Sequence, residues 1–448
     1  MKRISLVGVA AIAVLAGGLT AAHAVAEPAP ARDRDLTVSV LDQLRERTGS
    51  AALAETSAIV NATRQSGEWA FGTAVVPTRS GADEFPQGWL FAAKRDKAGW
   101  TVALEGDKAF AELTAASPLT TDAERPLLAA QDGTQDVTPL AGGDFRTGMA
   151  LPYPVGSAWS MWGGPHGWSG TPAPWSSLDL SGGDQRVRAA RAGTAYTMCT
   201  GWLRVIHDRG YATDYYHLWN NINVNGAAVS QGTYLGDTGT DVTCGGSASG
   251  RHVHFALRQN NAYVGIAGHN VGGWVPVNGG SAYGGYALHG STVANVGGGL
   301  YNYGALGFTQ GIIDSNGGGA VNKRSGPGTG YGIVGSVADG ATVTVSCSAN
   351  GTTHTGRYGA TSLWNRLSDG TWVTDAYMWT GVNGPVNGYC LPPPPSRAAD
   401  PDHRVGRAVV GKLAARPALP STEGLPRGER PGAVGNPGDR VDRGAVRR

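Results

Sequence analysis

Charge is scarce in this chain. Only 16% of its 448 residues are Asp, Glu, Lys or Arg, and the formal net charge is +2. That balance excludes the basic footprint a nucleic-acid-binding surface requires. Long apolar runs are missing too. The longest candidate, in "MKRISLVGVAAIAVLAGGLTAAHAVAEPAP", holds about a dozen apolar residues after Lys2 and Arg3, short of the roughly 20 that span a bilayer. A basic start, a short apolar core and small residues at "AHA" and "AVA" make residues 1–26 a cleavable secretory signal, cut after Ala24 or Ala26. The expected product is a secreted, extracellular protein with no membrane partner after cleavage. Cysteine is limited to four residues, an even number, which in an exported chain reads as disulfides. Pairing Cys199 with Cys244 and Cys347 with Cys390 keeps each bridge local, each closure worth ~4 kcal/mol on the chain-entropy account. No two cysteines have the close spacing of a thiolate zinc site. No HExxH helix is present, which excludes that protease class and its glutamate base.

What the chain has in quantity is glycine (70 residues) and tryptophan (13), the composition of a turn-rich β protein with aromatic-lined grooves. Its length leaves room for two or three domains after export. From residue 27 to about 147 most of the acidic residues gather, with few glycines and no cysteine. "LTVSVLDQLRERTGSAALAETSAIV" carries Leu41, Leu44 and Leu53 on a helical period, and "WAFGTAVVP", "GWLFAAKRD" and "GWTVALEGD" read as strands. This α+β unit ends in a glycine-rich stretch open to proteolytic nicking, and it is read as a propeptide that restrains an exported hydrolase. From 148 to 305, "TAYTMC", "GWLRVIHD", "YATDYYHLW" and "RHVHFALR" are short strands between turn-formers, an antiparallel sheet with long loops. From 306 to 391 turn signals at short spacing imply a second small barrel of five to six strands. Residues 392–448 are rich in Pro and Arg and hold no aromatic residue, the composition of a disordered tail.

The chemistry-bearing residues lie in the central section. "SGRHVHFAL" sets His252 and His254 one residue apart in an apolar run, so in a strand both face the same way. "GGPHGW" puts His166 in a Gly/Pro turn, "SSLDL" puts Asp179 on a strand, and "DYYHLW" puts His217 within a Tyr-rich strand. A hydrolytic zinc site needs three protein ligands and one open position. His166, Asp179 and one of the paired histidines can supply the ligands, leaving the other and His217 for the proton and the oxyanion. Asp184, in "SGGD", competes as the carboxylate but reads as a surface turn. His207 is assigned no role. An HxH pair alone is more often packing than a site; the argument is the joint occurrence of these residues in one β domain.

The ordered set "GGPHG…SSLD…YYHL…SGRHVHFAL" resembles the lysostaphin-type zinc metallopeptidases, and among them the β-lytic and staphylolysin subgroup. The resemblance implies one Zn2+ held by His166, Asp179 and His254, with His217 and His252 as the catalytic pair and Tyr216 assisting at the oxyanion. It also implies a second assisting tyrosine, Tyr283 or Tyr286, and a Cys199–Cys244 disulfide. The fold it implies is mainly β: an antiparallel β-sheet metallopeptidase domain preceded by the α+β propeptide. The C-terminal section resembles bacterial Src-homology-3-like wall-binding barrels, in which Trp364, Trp372 and Tyr377 would line a groove or, for Trp364 above all, form the core. Together these readings predict a secreted, cell-wall-associated zinc endopeptidase. Its expected partner is peptidoglycan peptide cross-bridges containing glycine, and it is expected to work as a monomer. The rival readings are a general protease for glycine-rich proteins and a non-catalytic wall-binding regulator with a degenerate site.

Overall fold

A computed structural model describes residues 36–50, 58–130 and 144–391. The signal segment, Leu53, the glycine-rich end of the N-terminal unit and the tail after Leu391 lie outside the described residues. Among those described, no helix is long and apolar enough to cross a membrane.

The N-terminal unit opens with helix α1 (Leu36–Thr48), which buries Leu36, Val40, Leu41 and Leu44 along one stripe. Arg45 and Arg47 lie in its last turn, favourable to the helix dipole, and Gly49 follows at φ 66°. Four antiparallel strands come next: β1 (Ile59–Ser66), β2 (Trp69–Val76), β3 (Gln87–Asp96) and β4 (Gly99–Leu104). Helices α2 (Lys108–Ala116) and α3 (Glu124–Ala129) complete the unit. The three strands expected from sequence are β2, β3 and β4. Period-2 alternation divides the strands' side chains: Ala70, Ala74, Phe91 and Ala93 pack on α1, whereas Phe71, Val75, Leu90 and Ala92 face the central sheet. The two sheets meet closely, and a Cβ on Gly88 would lie 2.8 Å from the Trp202 ring.

The central sheet is nine-stranded and antiparallel. From one edge its path runs Asn225–Val229, Gly193–Cys199, Trp202–Ile206, Tyr211–Tyr216, Val253–Gln259, Ser177–Ser181, Ala158–His166 and Gly299–Tyr301; Ala262–Tyr263 pairs on Val253–Gln259. The registers Tyr216↔His254 and His254↔Asp179 set three of the candidate site residues abreast. Leu178, Leu180, Leu203, Val205, Tyr215, Val253, Phe255 and Leu257 alternate with them and fill the core on the opposite face. Two sequence expectations shift by a residue. The strand begins at Val253, so His252 stands just before it in an isolated bridge to Gly239. His217 likewise follows its strand, which ends at Tyr216, and takes φ 68°.

The C-terminal sheet has seven strands rather than five or six. Two of them are very short, Trp372–Thr374 and Met378–Trp379. Ile313, Val321, Val345, Leu367, Val373 and Met378 form its core. Trp364 is buried with its Nε1–H on the Thr352 carbonyl, while Trp372 and Tyr377 are half-buried. Both disulfides, Cys199–Cys244 and Cys347–Cys390, pair as expected.

Candidate metal centre

Three side chains converge where the strands Ala158–His166, Ser177–Ser181 and Val253–Gln259 run side by side. His254 Nδ1 is 3.0 Å from Asp179 Oδ1 and 3.2 Å from His166 Nε2, and His166 Nε2 is 3.4 Å from Asp179 Oδ1. His166 and His254 are fully buried. A tetrahedral ion with bonds of about 2.0–2.1 Å spaces its ligands by about 3.3 Å. The three donor atoms match that spacing.

Proton placement makes the case stronger. The Nδ1–H of His166 donates to the Gly164 carbonyl at 2.7 Å, and a carbonyl can only accept. Nε2 of His166 is therefore a lone pair, and it faces a carboxylate oxygen and another imidazole. His254 can give one proton to Asp179 through Nδ1, which leaves its Nε2 without a polar partner, as observed. A cation at the centre of the three atoms resolves this surplus of acceptors. The donor set, two imidazoles and one carboxylate, suits zinc among the common metals and does not suit calcium or magnesium.

Two further histidines flank the cluster, and both are fixed in the same tautomer. His252 Nδ1–H donates to the Gly250 carbonyl at 2.6 Å, and its Nε2 stands 3.5 Å from Asp179 Oδ1. His217 Nδ1–H donates to the Asp241 carbonyl at 2.8 Å, leaving Nε2 buried and unpartnered. The two rings are 4.9 Å apart. Burial, aided by the charges of His252 and His254, pushes the His217 pKa down to about 3, so the ring is neutral. Burial works against ionising Asp179, yet the surrounding imidazoles hold it well below the usual carboxylate range. The left-handed backbone at His217 is costly for a non-glycine residue, a local strain of the kind that gathers at functional sites.

The remaining expected residues are placed as follows. The Tyr216 ring stacks on His217 at 4.4 Å, and its hydroxyl donates to the Gly245 carbonyl at 2.7 Å. Tyr283 stacks on His166 at 4.0 Å and is partly exposed; Tyr286 instead sits in a separate hairpin, opposite Val277 and Asn295. Asp184 lies in a turn, bonded to the backbone of Arg186. His207 is buried away from the site between the Ala192 carbonyl and the Thr213 hydroxyl.

Sequence reasoning missed what covers the site. The loop between β2 and β3 crosses it. Thr78 N–H donates to the Cys244 carbonyl at 3.0 Å, and Gly81 N–H to the Gly246 carbonyl at 2.7 Å. Trp168 Nε1–H holds the Pro86 carbonyl at 2.8 Å, and Ser169 Oγ accepts from Phe85 N–H at 3.2 Å. Phe85 thereby enters the site itself, its ring centroid 5.1 Å from His254, 5.2 Å from His217 and 5.8 Å from Trp168 and Tyr216. Its only signal in the sequence is a large apolar residue inside the polar loop "SGADEFPQG".

Two imidazoles and a carboxylate about one point, with two pinned imidazoles beside them on an antiparallel sheet, are a donor set that could hold a metal ion. Comparison with known proteins agrees. No family profile matches the chain. It is 33% identical over 147 residues to the beta-lytic metalloendopeptidase of Lysobacter enzymogenes, a match covering 30% of this chain and 82% of that protein. Protease LasA of Pseudomonas aeruginosa is 38% identical over 136 residues, 28% of this chain and 32% of LasA, so the chain spans about a third of that relative. Among solved structures, the M23 metalloprotease pseudoalterin from the deep sea is 32% identical over 34% of this chain and 97% of that one, with a TM-score of 0.33. The extent of the Lysobacter match decides the matter: the chain belongs to the beta-lytic metalloendopeptidases, M23 peptidases of the lysostaphin type.

Proposed function

We propose that this protein is a secreted zinc endopeptidase that cuts peptide bonds in peptidoglycan cross-links, at glycine-containing bridges. The observation that carries the reading is the convergence of three acceptor atoms beside two histidines whose Nδ1 protons are committed elsewhere. His166, Asp179 and His254 would hold one Zn2+. Bound there, the ion would lower the pKa of a coordinated water to about 7 and polarise the substrate carbonyl. His252 offers Nε2 as the base that takes the attacking water's proton, and the protonated ring then serves as the acid for the leaving amine. His217, neutral and with its Nε2 lone pair free, would accept from the attacking water and orient it beside His252; Tyr216 keeps its ring in place by stacking. Both histidines present an acceptor Nε2, because the backbone carbonyls of Gly250 and Asp241 hold their Nδ1 protons.

Residues 27–147 act as a propeptide, a role supported by Phe85 filling the space between the metal-binding cluster and His217. Residues 306–391 act as a Src-homology-3-like wall-binding module that brings the enzyme to its substrate. The test compares zinc content and hydrolysis of glycine-bridged peptidoglycan in the matured wild type and His252→Ala. The variant is expected to keep one zinc per chain and to lose at least about a hundredfold in rate. Loss of zinc in His252→Ala with retention in His254→Ala would reverse the ligand assignment. Absence of zinc and of hydrolysis in the wild type would defeat the enzyme reading.

A further inference from the structure

The sheet face that carries His254 also carries charges that do not balance within it. Arg204 is wholly buried. Its Nε and Nη2 grip both oxygens of Asp214 at 2.9 and 3.0 Å. Asp214 also accepts from Trp202 Nε1 at 3.0 Å and from the Tyr263 hydroxyl at 2.9 Å, and Arg258 Nη1 stands 3.9 Å from it. Two guanidiniums thus face a single carboxylate. The fourth charge comes from the N-terminal unit: Glu105, just beyond β4, places Oε2 2.6 Å from Arg204 Nη1. The rest of that carboxylate is poorly served. Oε2 receives Leu90 N–H at 3.3 Å, and Oε1 is buried with no partner.

Position matters as much as charge. The registers Arg204↔Asp214 and Asp214↔Ala256 put this cluster in the row next to Tyr216 and His254, two residues along the same face. That is about 7 Å along the strands. The same N-terminal unit therefore covers two neighbouring places on one floor, with a phenylalanine at the metal cluster and a carboxylate one row away. A peptide crossing the metal cluster along this floor reaches Arg204 within two or three residues.

We propose that Arg204 is a substrate-anchoring residue: its Nη1 edge binds a carboxylate of the peptide being cut, at the place Glu105 occupies in the intact chain. The inference rests on the peptidase reading above and adds the chemical class of substrate, a peptide bearing a carboxylate close to the scissile bond. Removal of the N-terminal unit leaves the floor with one uncompensated positive charge, and a substrate carboxylate restores neutrality as Glu105 does. The carboxylate can be a side chain or the free end of a peptide.

The test uses the full chain, zinc-loaded and nicked within residues 131–143, with both pieces present. Glycine-containing peptides are compared in pairs: Glu against Gln two or three residues from the cut, and a free C-terminus against its amide. The carboxylate form of at least one pair is expected to be cut about tenfold more efficiently, through a lower KM; the pair that responds identifies the source. Equal efficiency within both pairs overturns the anchor and leaves the peptidase reading standing. Failure to cut any peptide while zinc is bound takes both down. Arg204→Gln should abolish the preference, but it strands Asp214 and can cost the fold. Glu105→Gln supplies the independent arm: after nicking, its N-terminal piece should dissociate about tenfold faster than wild type, and unchanged release would overturn the assignment of that contact.

Discussion

The two faces of the central sheet are built from the same strands and taught to do opposite things. On Val253–Gln259, the side chains of Val253, Phe255 and Leu257 enter a largely apolar core, while His254 and Ala256 face the N-terminal unit. On Trp202–Ile206, Leu203 and Val205 go one way and Trp202, Arg204 and Ile206 the other. Both faces are buried in the intact chain, so burial alone does not tell them apart. Composition does. One face is mainly aliphatic and aromatic, with the hydrogen-bonded chain His207–Thr213–Tyr215 as an uncharged polar insert, and its contacts are made by segments on both sides of it in the sequence, Met149 to Leu300. The other mixes rings, imidazoles and ion pairs, and the side chains that cover it come both from the N-terminal unit, Phe71, Phe85, Leu90 and Glu105 among them, and from the central section, Trp168 and Cys244. A face that mixes charge with rings and takes much of its cover from one end of the chain fits the propeptide proposed for residues 27–147.

Adjacent residues on one strand give the sharpest break. His254→Ala should remove the bound metal and reduce peptidase activity by at least about a thousandfold, with the unfolding midpoint of the metal-free protein little changed. Phe255→Ala should do the reverse, costing about 3–5 kcal/mol of stability by opening a cavity while the surviving folded fraction keeps its metal. Metal analysis and denaturant titration on both variants measure this. Equal stability losses would mean that the two faces are not functionally distinct.

Phe85→Ala probes the cover. A buried phenylalanine contributes about 1.5–3 kcal/mol through its area, so its removal should raise the activity of the intact, un-nicked chain by about ten- to a hundredfold. After nicking, wild type and variant should converge, because Phe85 then belongs to a separate piece. A variant as silent as the wild type before nicking would place the restraint elsewhere on the interface.

The legible part of this molecule was the part in which pattern and chemistry coincide. Short alternating strands bounded by glycine-rich turns gave the mainly β architecture, and His166, Asp179 and His254, the set named by the resemblance, bring donor atoms within 4.8 Å of one another. The pairing of the cysteines followed from number and position. Less legible were the strand ends: His217 and His252 read as strand residues, yet each lies just outside, because ring nitrogens bonded to Asp241 and Gly250 carbonyls outweigh continuation of the ladder. Least legible was the cover. Phe85 meets His254, and Glu105 meets Arg204, across sequence separations that no local pattern records, and Arg204 gave only one clue, a charge in the otherwise apolar "WLRVI".

A half-buried carboxyl in the C-terminal section, Asp375, extends the comparison beyond the central sheet. Asp214 is satisfied by a guanidinium in direct contact, and its carboxyl stays below the usual range, the guanidinium and other partners outweighing its burial. Asp375 is held instead by the amide of Asn365 at 2.8 Å, which donates a hydrogen bond but carries no charge. Burial pushes Asp375 up to about 6. The folded protein therefore binds this proton more tightly than the unfolded chain, in which an aspartate titrates near 3.9. The sign follows: the contribution is fully present below about pH 4 and is lost as pH rises through 6. Stability of the C-terminal sheet should fall by about 2 kcal/mol across that window, and Asp375→Asn, which keeps the shape and cannot ionise, should flatten the profile. Hydrogen exchange of the strands Gly359–Leu367 and Trp372–Thr374 at pH 4 and pH 7 reads the effect locally. If wild type and variant change in parallel, the Asn365 amide alone suffices to hold the charged form, and the contrast with the guanidinium-paired Asp214 disappears.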